Sequence, residues 1–146
     1  MASKQTDEAT QGAWRALGFY YDRDDSSKTW RIIGSACGLR GLAEAVRQYT
    51  RTPANARLGE HKHFGPYAYL EIGTAARPEI TDHWIAGPLT SLVGLADLID
   101  RTADASDVGG RVSLRNAFSP ESTFDLVLEV REPGFDPATA DPLCQP

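Results

Sequence analysis

Cysteine, long hydrophobic runs and a leader segment are all scarce or absent in this sequence, and each absence excludes a class of protein. Its 146 residues contain two cysteines, Cys37 and Cys144. They are widely separated and resemble neither a disulfide framework nor a ligand pair, so a reducing cytoplasm is the expected location. No apolar stretch approaches the roughly 18 residues of a transmembrane helix, and the start, MASKQTDEATQGAW, lacks the apolar core of a signal peptide. We therefore expect no membrane association.

An excess of positive charge is also absent. Lys and Arg number 15 against 20 Asp and Glu, which gives a formal net charge of −5. A general nucleic-acid binder needs a basic surface to contact phosphates, so this balance argues against that class. The hydrophobic fraction of 41% and the charged fraction of 24% are ordinary for a folded domain. The length predicts a single domain.

Motifs for nucleophilic catalysis and for cofactor binding are missing as well. The sequence has no Gly-x-Ser-x-Gly elbow, no phosphate-binding loop and no Gly-x-Gly-x-x-Gly after a predicted strand. Cys37 lies near a predicted helix start without a histidine close in sequence, and a small half-buried residue is the commoner role for such a cysteine. We predict no catalytic residues and no cofactor.

The most informative feature is an internal repeat. Residues Gly34–Val46 align without gaps on Gly87–Ile99, with identical Gly, Leu and Ala positions in the same order. In both segments four apolar residues fall at i, i+3, i+4 and i+7, which predicts one amphipathic helix in each copy. A glycine recurs inside each predicted helix, at Gly41 and Gly94, and suggests close approach to a sheet.

Strands are predicted on both sides of each helix, so each copy has the order β-α-β-β. The predicted fold class is α+β, with internally duplicated β-α-β-β units forming a mixed or antiparallel sheet and the two helices packed on one face. An additional strand over residues 16–21 is expected to form a hairpin with residues 29–33. The predicted organisation is a disordered or loosely attached N-terminus (1–13), one duplicated domain (14–130, with copies at about 29–72 and 82–130) and a loose proline-rich tail (131–146).

Histidines are the first candidate for chemistry. His61 and His63 are two residues apart in a predicted strand, so their side chains project from the same face. His83 could supply a third ligand, as could Glu60, Glu71 or Asp82, but the spacing does not force any of these residues together. A catalytic zinc ion needs three protein ligands. Two sheet-edge histidines without a metal are the simpler interpretation.

Opposite charge in the two copies is the second candidate. Residues 31–63 carry six basic and two acidic side chains, whereas residues 79–107 carry six acidic side chains and one Arg. The acidic positions on and after the second helix are Asp97, Asp100, Asp104 and Asp107. Such copies could pair with each other, or the acidic helix could bind a basic partner. A solvated polar face is the alternative.

Aromatic residues are the third candidate. They crowd the predicted first hairpin and the stretch after the histidines, at Trp14, Phe19, Tyr20, Tyr21, Trp30, Tyr67, Tyr69 and Trp84. Most are expected to pack in the core or against a sheet. Any that are exposed would be natural anchors of a protein interface, because Tyr and Trp dominate binding hot spots.

The glycine and leucine pattern of residues 34–46 and 87–130 resembles the immunity proteins of bacterial polymorphic toxin systems, of the immunity-protein-32 type. The resemblance covers about two-thirds of the chain, and its motifs are mostly structural. It implies a non-enzymatic protein that neutralises a cognate toxin by binding it, and the acidic helix makes a basic toxin domain the candidate partner. Two alternatives stay open: a small metal-dependent enzyme or ligand-binding protein that uses His61 and His63, and a homodimerising domain of unknown role.

Overall fold

The computed structural model describes residues 4–145 and contains four helices and eight strands in that range. The helices are α1 (Lys4–Leu17), α2 (Ala36–Arg51), α3 (Leu89–Ala105) and the short α4 (Arg115–Phe118). The strands are β1 (Tyr20–Asp24), β2 (Thr29–Ser35), β3 (His61–Phe64), β4 (Leu70–Thr74), β5 (Glu79–Ile80), β6 (Trp84–Gly87), β7 (Arg111–Ser113) and β8 (Asp125–Arg131). Short 3₁₀ turns occur at Pro53–Ala56, Pro137–Ala140 and Pro142–Cys144.

The strands form two mixed four-stranded sheets. The first has the order β1-β2-β8-β7 and the second the order β3-β4-β6-β5. In each sheet the central pair is parallel (β2 with β8, and β4 with β6), and the outer strands are antiparallel to their neighbours. The predicted α+β class, with mixed sheets and helices packed against them, is confirmed. The strands form two sheets rather than one, because β3 and β4, which follow α2, pair with β5 and β6 and not with β1 and β2.

The two halves of the chain have the same order of elements. The first runs β1-β2-α2-β3-β4 and the second β5-β6-α3-β7-β8, apart from the short α4 between β7 and β8. Each sheet takes one hairpin from each half, and the parallel central pair joins them. This order is compatible with the predicted duplication, which itself stays a prediction.

The predicted helical stripes face the core. In α2 the four stripe residues are at most 1% exposed, and so are the four in α3. They are Leu39, Leu42, Ala43 and Val46, and Leu92, Leu95, Ala96 and Ile99. Burial of such a side chain contributes about 1.5–3 kcal/mol for a full-sized aliphatic group, so these stripes are a main source of stability. The spacing alone was sufficient to identify them.

The glycines inside the helices do not have the predicted role. A Cβ atom added at Gly41 or at Gly94 would have no neighbour within 4 Å, so neither position approaches a sheet. The close approach occurs instead at Gly38, where an added Cβ would lie 2.1 Å from the carbonyl oxygen of Gly18. The first turn of α2 therefore packs against the turn after α1, and only glycine fits there.

Helix α1 and the C-terminal segment contact each other and are not loose. From Lys4 onward, the segment predicted to be a loosely attached N-terminus belongs to α1. This helix also includes the start of the strand predicted at 16–21. Residues 1–3 lie outside the described range. The tail predicted to be loose contacts α1, and Gln11 Nε2 donates to the Cys144 carbonyl at 3.1 Å. The turns themselves have a local cause, because Asp136 and Asp141 cap them and the proline-rich sequence fits 3₁₀ turns.

The two sheets and the long helices share one hydrophobic core. Hydrogen bonds also join the sheets directly: the Tyr21 hydroxyl donates to the Phe64 carbonyl, and Trp30 Nε1 donates to the Thr81 carbonyl at 2.7 Å. Between residues 4 and 145, no helix combines the length and hydrophobicity needed to cross a bilayer.

Candidate functional site

The acidic residues of α3 face the basic residues of α2. Arg47 lies between two of them, with Nη2 at 2.9 Å from Asp97 Oδ1 and 2.6 Å from Asp100 Oδ2. About two turns away on α2, Arg40 forms an ion pair with Asp104. Hydrogen bonds that Arg47 donates to Asp97 and Asp100 raise its pKa above its ordinary value. The opposite charges of the two halves therefore meet across the helix pair.

This pairing is one of the two outcomes that the charge pattern predicts. It leaves less free negative charge on α3 than the sequence suggests, because Asp97, Asp100 and Asp104 all have a basic neighbour. Asp107 is exposed in the turn after α3. A role for these four residues in binding an external partner remains a prediction.

The histidines and one carboxylate come together on the outer face of the second sheet. His61 and His63 are on the edge strand β3, and Glu71 is directly opposite His63 on β4. Glu71 Oε1 lies 3.4 Å from His61 Nε2 and 3.8 Å from His63 Nε2. One ligand atom from each residue lies within 4.8 Å of the other two. We refer to His61, His63 and Glu71 as the His–Glu cluster.

Backbone carbonyls hold both imidazoles of the cluster in place. His61 Nδ1 is 3.0 Å from the Gly59 carbonyl oxygen, and His63 Nδ1 is 2.6 Å from that of Ala68. The rings are 5.0 Å apart between centroids and nearly perpendicular, at 84°. Their Nε2 atoms are therefore directed to the same carboxylate.

His83 is not a member of the cluster. Its Nδ1 lies 3.0 Å from Thr81 Oγ1 and 3.7 Å from Asp82 Oδ1, and its ring stacks on Trp84. Of the three predicted candidate ligands, the structure brings two together and places the third elsewhere. Glu71, one of several acids that the sequence offered, completes the set because the β3–β4 register places it opposite His63.

An aromatic cluster connects α1, the first sheet and the β3–β4 loop. Its rings are 4.9–6.4 Å apart between neighbouring centroids and belong to Trp14, Tyr20, Tyr21, Trp30, Tyr67 and Tyr69. Four of these residues are buried, whereas Tyr67 and Tyr69 are 40% and 37% exposed. The two exposed rings stack on each other at 17°, and we call them the tyrosine pair.

Buried residues hold both rings of the tyrosine pair in place. Tyr69 stacks on the fully buried Trp30, with ring centroids 5.9 Å apart. The Tyr67 hydroxyl donates to Asp141 Oδ2 at 2.5 Å. Ala68, between the two tyrosines, has a φ of 59°, a left-handed conformation that costs a residue with a side chain about 1–2 kcal/mol. The loop thus adopts a strained backbone that turns both rings to one side.

Asp141 is a residue of the candidate site that the sequence did not reveal. It is 2% exposed and accepts hydrogen bonds from the Tyr67 hydroxyl and from Trp14 Nε1, the latter at 2.9 Å. Burial alone raises the pKa of this carboxyl, but the hydrogen bonds from Tyr67 and Trp14 outweigh it, so its pKa is lowered. No local pattern marks it, because its partners are 74 and 127 residues away.

A cleft of about 490 Å³ lies between residues 77–81 and residues 118–123. Its two serine hydroxyls already have structural partners: Ser119 donates to the Pro78 carbonyl at 2.9 Å, and Ser122 accepts from the Ile80 amide at 2.8 Å. The lining contains neither histidine nor cysteine.

Comparison with known proteins identifies no relative: no family model, curated protein or solved structure matches the chain. The resemblance to immunity proteins depends on the residues quoted for it and stays a prediction.

Proposed function

We propose that this chain is a non-enzymatic protein-binding domain, and that it is a bacterial immunity protein that neutralises a cognate toxin by covering it. The observation that supports binding is the tyrosine pair, two stacked rings that are exposed on a loop fixed to a buried aromatic cluster.

Tyrosine rings at a surface contribute strongly to binding, because they offer a large contact area and lose little conformational entropy. In this chain part of that entropy is already lost in the free protein, since Tyr67 is held by Asp141 and Tyr69 by Trp30. A preorganised anchor of this kind increases affinity by lowering the cost of ordering on binding.

The net charge of −5 favours a basic partner. Opposite net charges accelerate association by long-range attraction, an effect that weakens as salt is added. A stable complex would bury about 1,600 Å² in total, which is far more than two tyrosines cover. The surface around the pair must therefore also contribute, as the rim of the interface.

The first candidate partner is the protein encoded beside this chain's gene, because immunity genes travel next to their toxins. We expect the chain to bind that protein and to restore the growth of cells that express it. Replacing both Tyr67 and Tyr69 by Ala should weaken binding by more than about 30-fold, the equivalent of about 2 kcal/mol. Val108→Ala, at another exposed apolar residue, is the matched control and should bind normally.

Calorimetry with the purified partner would measure these affinities, and circular dichroism would verify that each variant is folded. Unchanged affinity in the double tyrosine variant would contradict the proposed anchor. Sedimentation of the chain alone distinguishes homodimerisation: a dimer that the tyrosine substitutions dissociate would assign the pair to self-association instead.

The predicted acidic face has a separate test. Lysine at Asp97 or Asp100 would place a positive charge beside Arg47, so neutral substitutions are the better probe. If the face binds a basic partner, Asp104→Asn combined with Asp107→Asn should slow association and reduce its dependence on salt. Equal association rates would exclude the face from the interface.

A further inference from the structure

We propose that His61, His63 and Glu71 form a binding site for a divalent transition metal ion of the zinc class. This inference does not depend on the proposed toxin binding, since its ligands are a different set of side chains, although the Ala68 carbonyl that contacts His63 lies between the two tyrosines.

The protonation of the two imidazoles supports the site. A carbonyl oxygen can only accept a hydrogen bond, so the Nδ1 atoms of His61 and His63, which contact carbonyls of Gly59 and Ala68, carry the hydrogens. In neutral imidazoles the Nε2 atoms are then lone-pair donors. This is the arrangement found in metal-binding histidines, whose second nitrogen typically donates to a carbonyl or a carboxylate.

The arrangement of lone pairs also calls for a cation. Both Nε2 atoms are directed to Glu71 Oε1, at 3.4 Å and 3.8 Å. With both imidazoles neutral and no cation between them, these three electron-rich atoms would face one another and repel. A metal ion accepts electron pairs from all three at once, which turns the repulsion into attraction.

Two of the three separations between ligand atoms fit the proposed ion, and all three are within 4.8 Å. Ligand atoms about 2.0–2.1 Å from a tetrahedral zinc ion are separated from one another by about 3.3 Å. The two separations from Glu71 Oε1 are within about 0.5 Å of that value before any side chain moves. Two imidazoles and one carboxylate are also a ligand set that zinc enzymes use, and three protein ligands leave a coordination position for water.

The strand pairing makes the site rigid. Glu71 is central in the sheet, between β3 on one side and β6 on the other, and its side chain is 18% exposed. His61 and His63 are 43% and 50% exposed at the side chain, so an ion could reach them from solvent. The site is therefore accessible, and its ligands already have fixed positions.

Titration of ZnCl₂ into the full chain, purified without a histidine tag, tests the site by calorimetry. We expect one equivalent to bind, with affinity reduced more than about tenfold in each of His61→Ala, His63→Ala and Glu71→Gln. His83→Ala removes an exposed histidine with an acidic neighbour and is the matched control; it should bind one equivalent normally.

Co²⁺ provides an independent measurement, because its visible absorption bands report the ligand geometry. We expect these bands with the wild-type chain and with His83→Ala, and their loss in His63→Ala. Absence of stoichiometric binding would overturn the site. An equal loss of zinc affinity in His83→Ala would also overturn it, because this result would indicate binding by scattered surface histidines. Unchanged affinity in Glu71→Gln would overturn it as well, because Glu71 would then not be a ligand.

Discussion

Replacement of Asp141 by Ala should destabilise the whole domain, although Asp141 lies only five residues from the end of the chain. The substitution removes the acceptor for Trp14 Nε1–H at 2.9 Å and for the Tyr67 hydroxyl at 2.5 Å. Trp14 is fully buried, so its indole N–H would have no solvent to replace the lost partner. The Tyr67 hydroxyl can turn to water, because Tyr67 is 40% exposed.

The magnitude follows from these contacts. An orphaned buried donor costs about 1–3 kcal/mol, and the exposed hydroxyl adds less. Relief of the buried carboxylate offsets part of that cost, which leaves about 1–3 kcal/mol. For a chain of 146 residues, 1 kcal/mol corresponds to about 3 °C in Tm. We therefore expect Asp141→Ala to lower Tm by about 3–9 °C at pH 7, measured by circular dichroism.

The effect should depend on pH in a defined direction. The pKa of Asp141 is lowered in the folded chain, since hydrogen bonds from Tyr67 and Trp14 outweigh its burial. A carboxyl with a lowered pKa stabilises the fold above its unfolded pKa of about 3.9, and this contribution is lost as the pH falls through the folded value. The difference in Tm between wild type and Asp141→Ala should therefore be constant near neutrality and shrink below about pH 4.

Asp136→Asn is the control, because Asp136 caps the preceding 3₁₀ turn but is paired with Arg15 at the surface. This substitution should change Tm by less than about 2 °C. If both variants lower Tm equally, or if neither does, the C-terminal segment does not stabilise the core through Asp141.

Two further predictions concern the helices. Gly41→Ala should raise the free energy of unfolding by up to about 1 kcal/mol, because the site is open and alanine favours helix. Gly38→Ala in the same helix should lower it, because the added Cβ clashes with the Gly18 carbonyl; urea denaturation measures both effects. Arg47→Ala should cost less than about 1 kcal/mol at low salt, and the difference from wild type should vanish in 1 M NaCl because the ion pairs are screened. A salt-independent loss would instead indicate that the aliphatic part of Arg47 matters.

The candidate sites were only partly predictable. The spacing of His61 and His63 along a strand predicts that they share a face, which is correct. It could not select Glu71 over Glu60 or Asp82, since that choice depends on which residue of β4 lies opposite His63. The exposure of Tyr67 and Tyr69 could not be predicted either. The residues around them show a pattern that a buried strand would show equally well.

By itself, the sequence determined what is local: the two amphipathic helices with their buried stripes, the strands around them, and hence the α+β class. These features follow from side-chain periodicity, which repeats every few residues. The tertiary structure alone decided the division into two sheets, the pairing of Arg47 with the acids of α3, and the anchoring of both termini through Trp14 and Asp141. Each of these depends on residues far apart in the chain, whose contacts are fixed by packing and hydrogen bonding in the shared core rather than by any neighbouring residue.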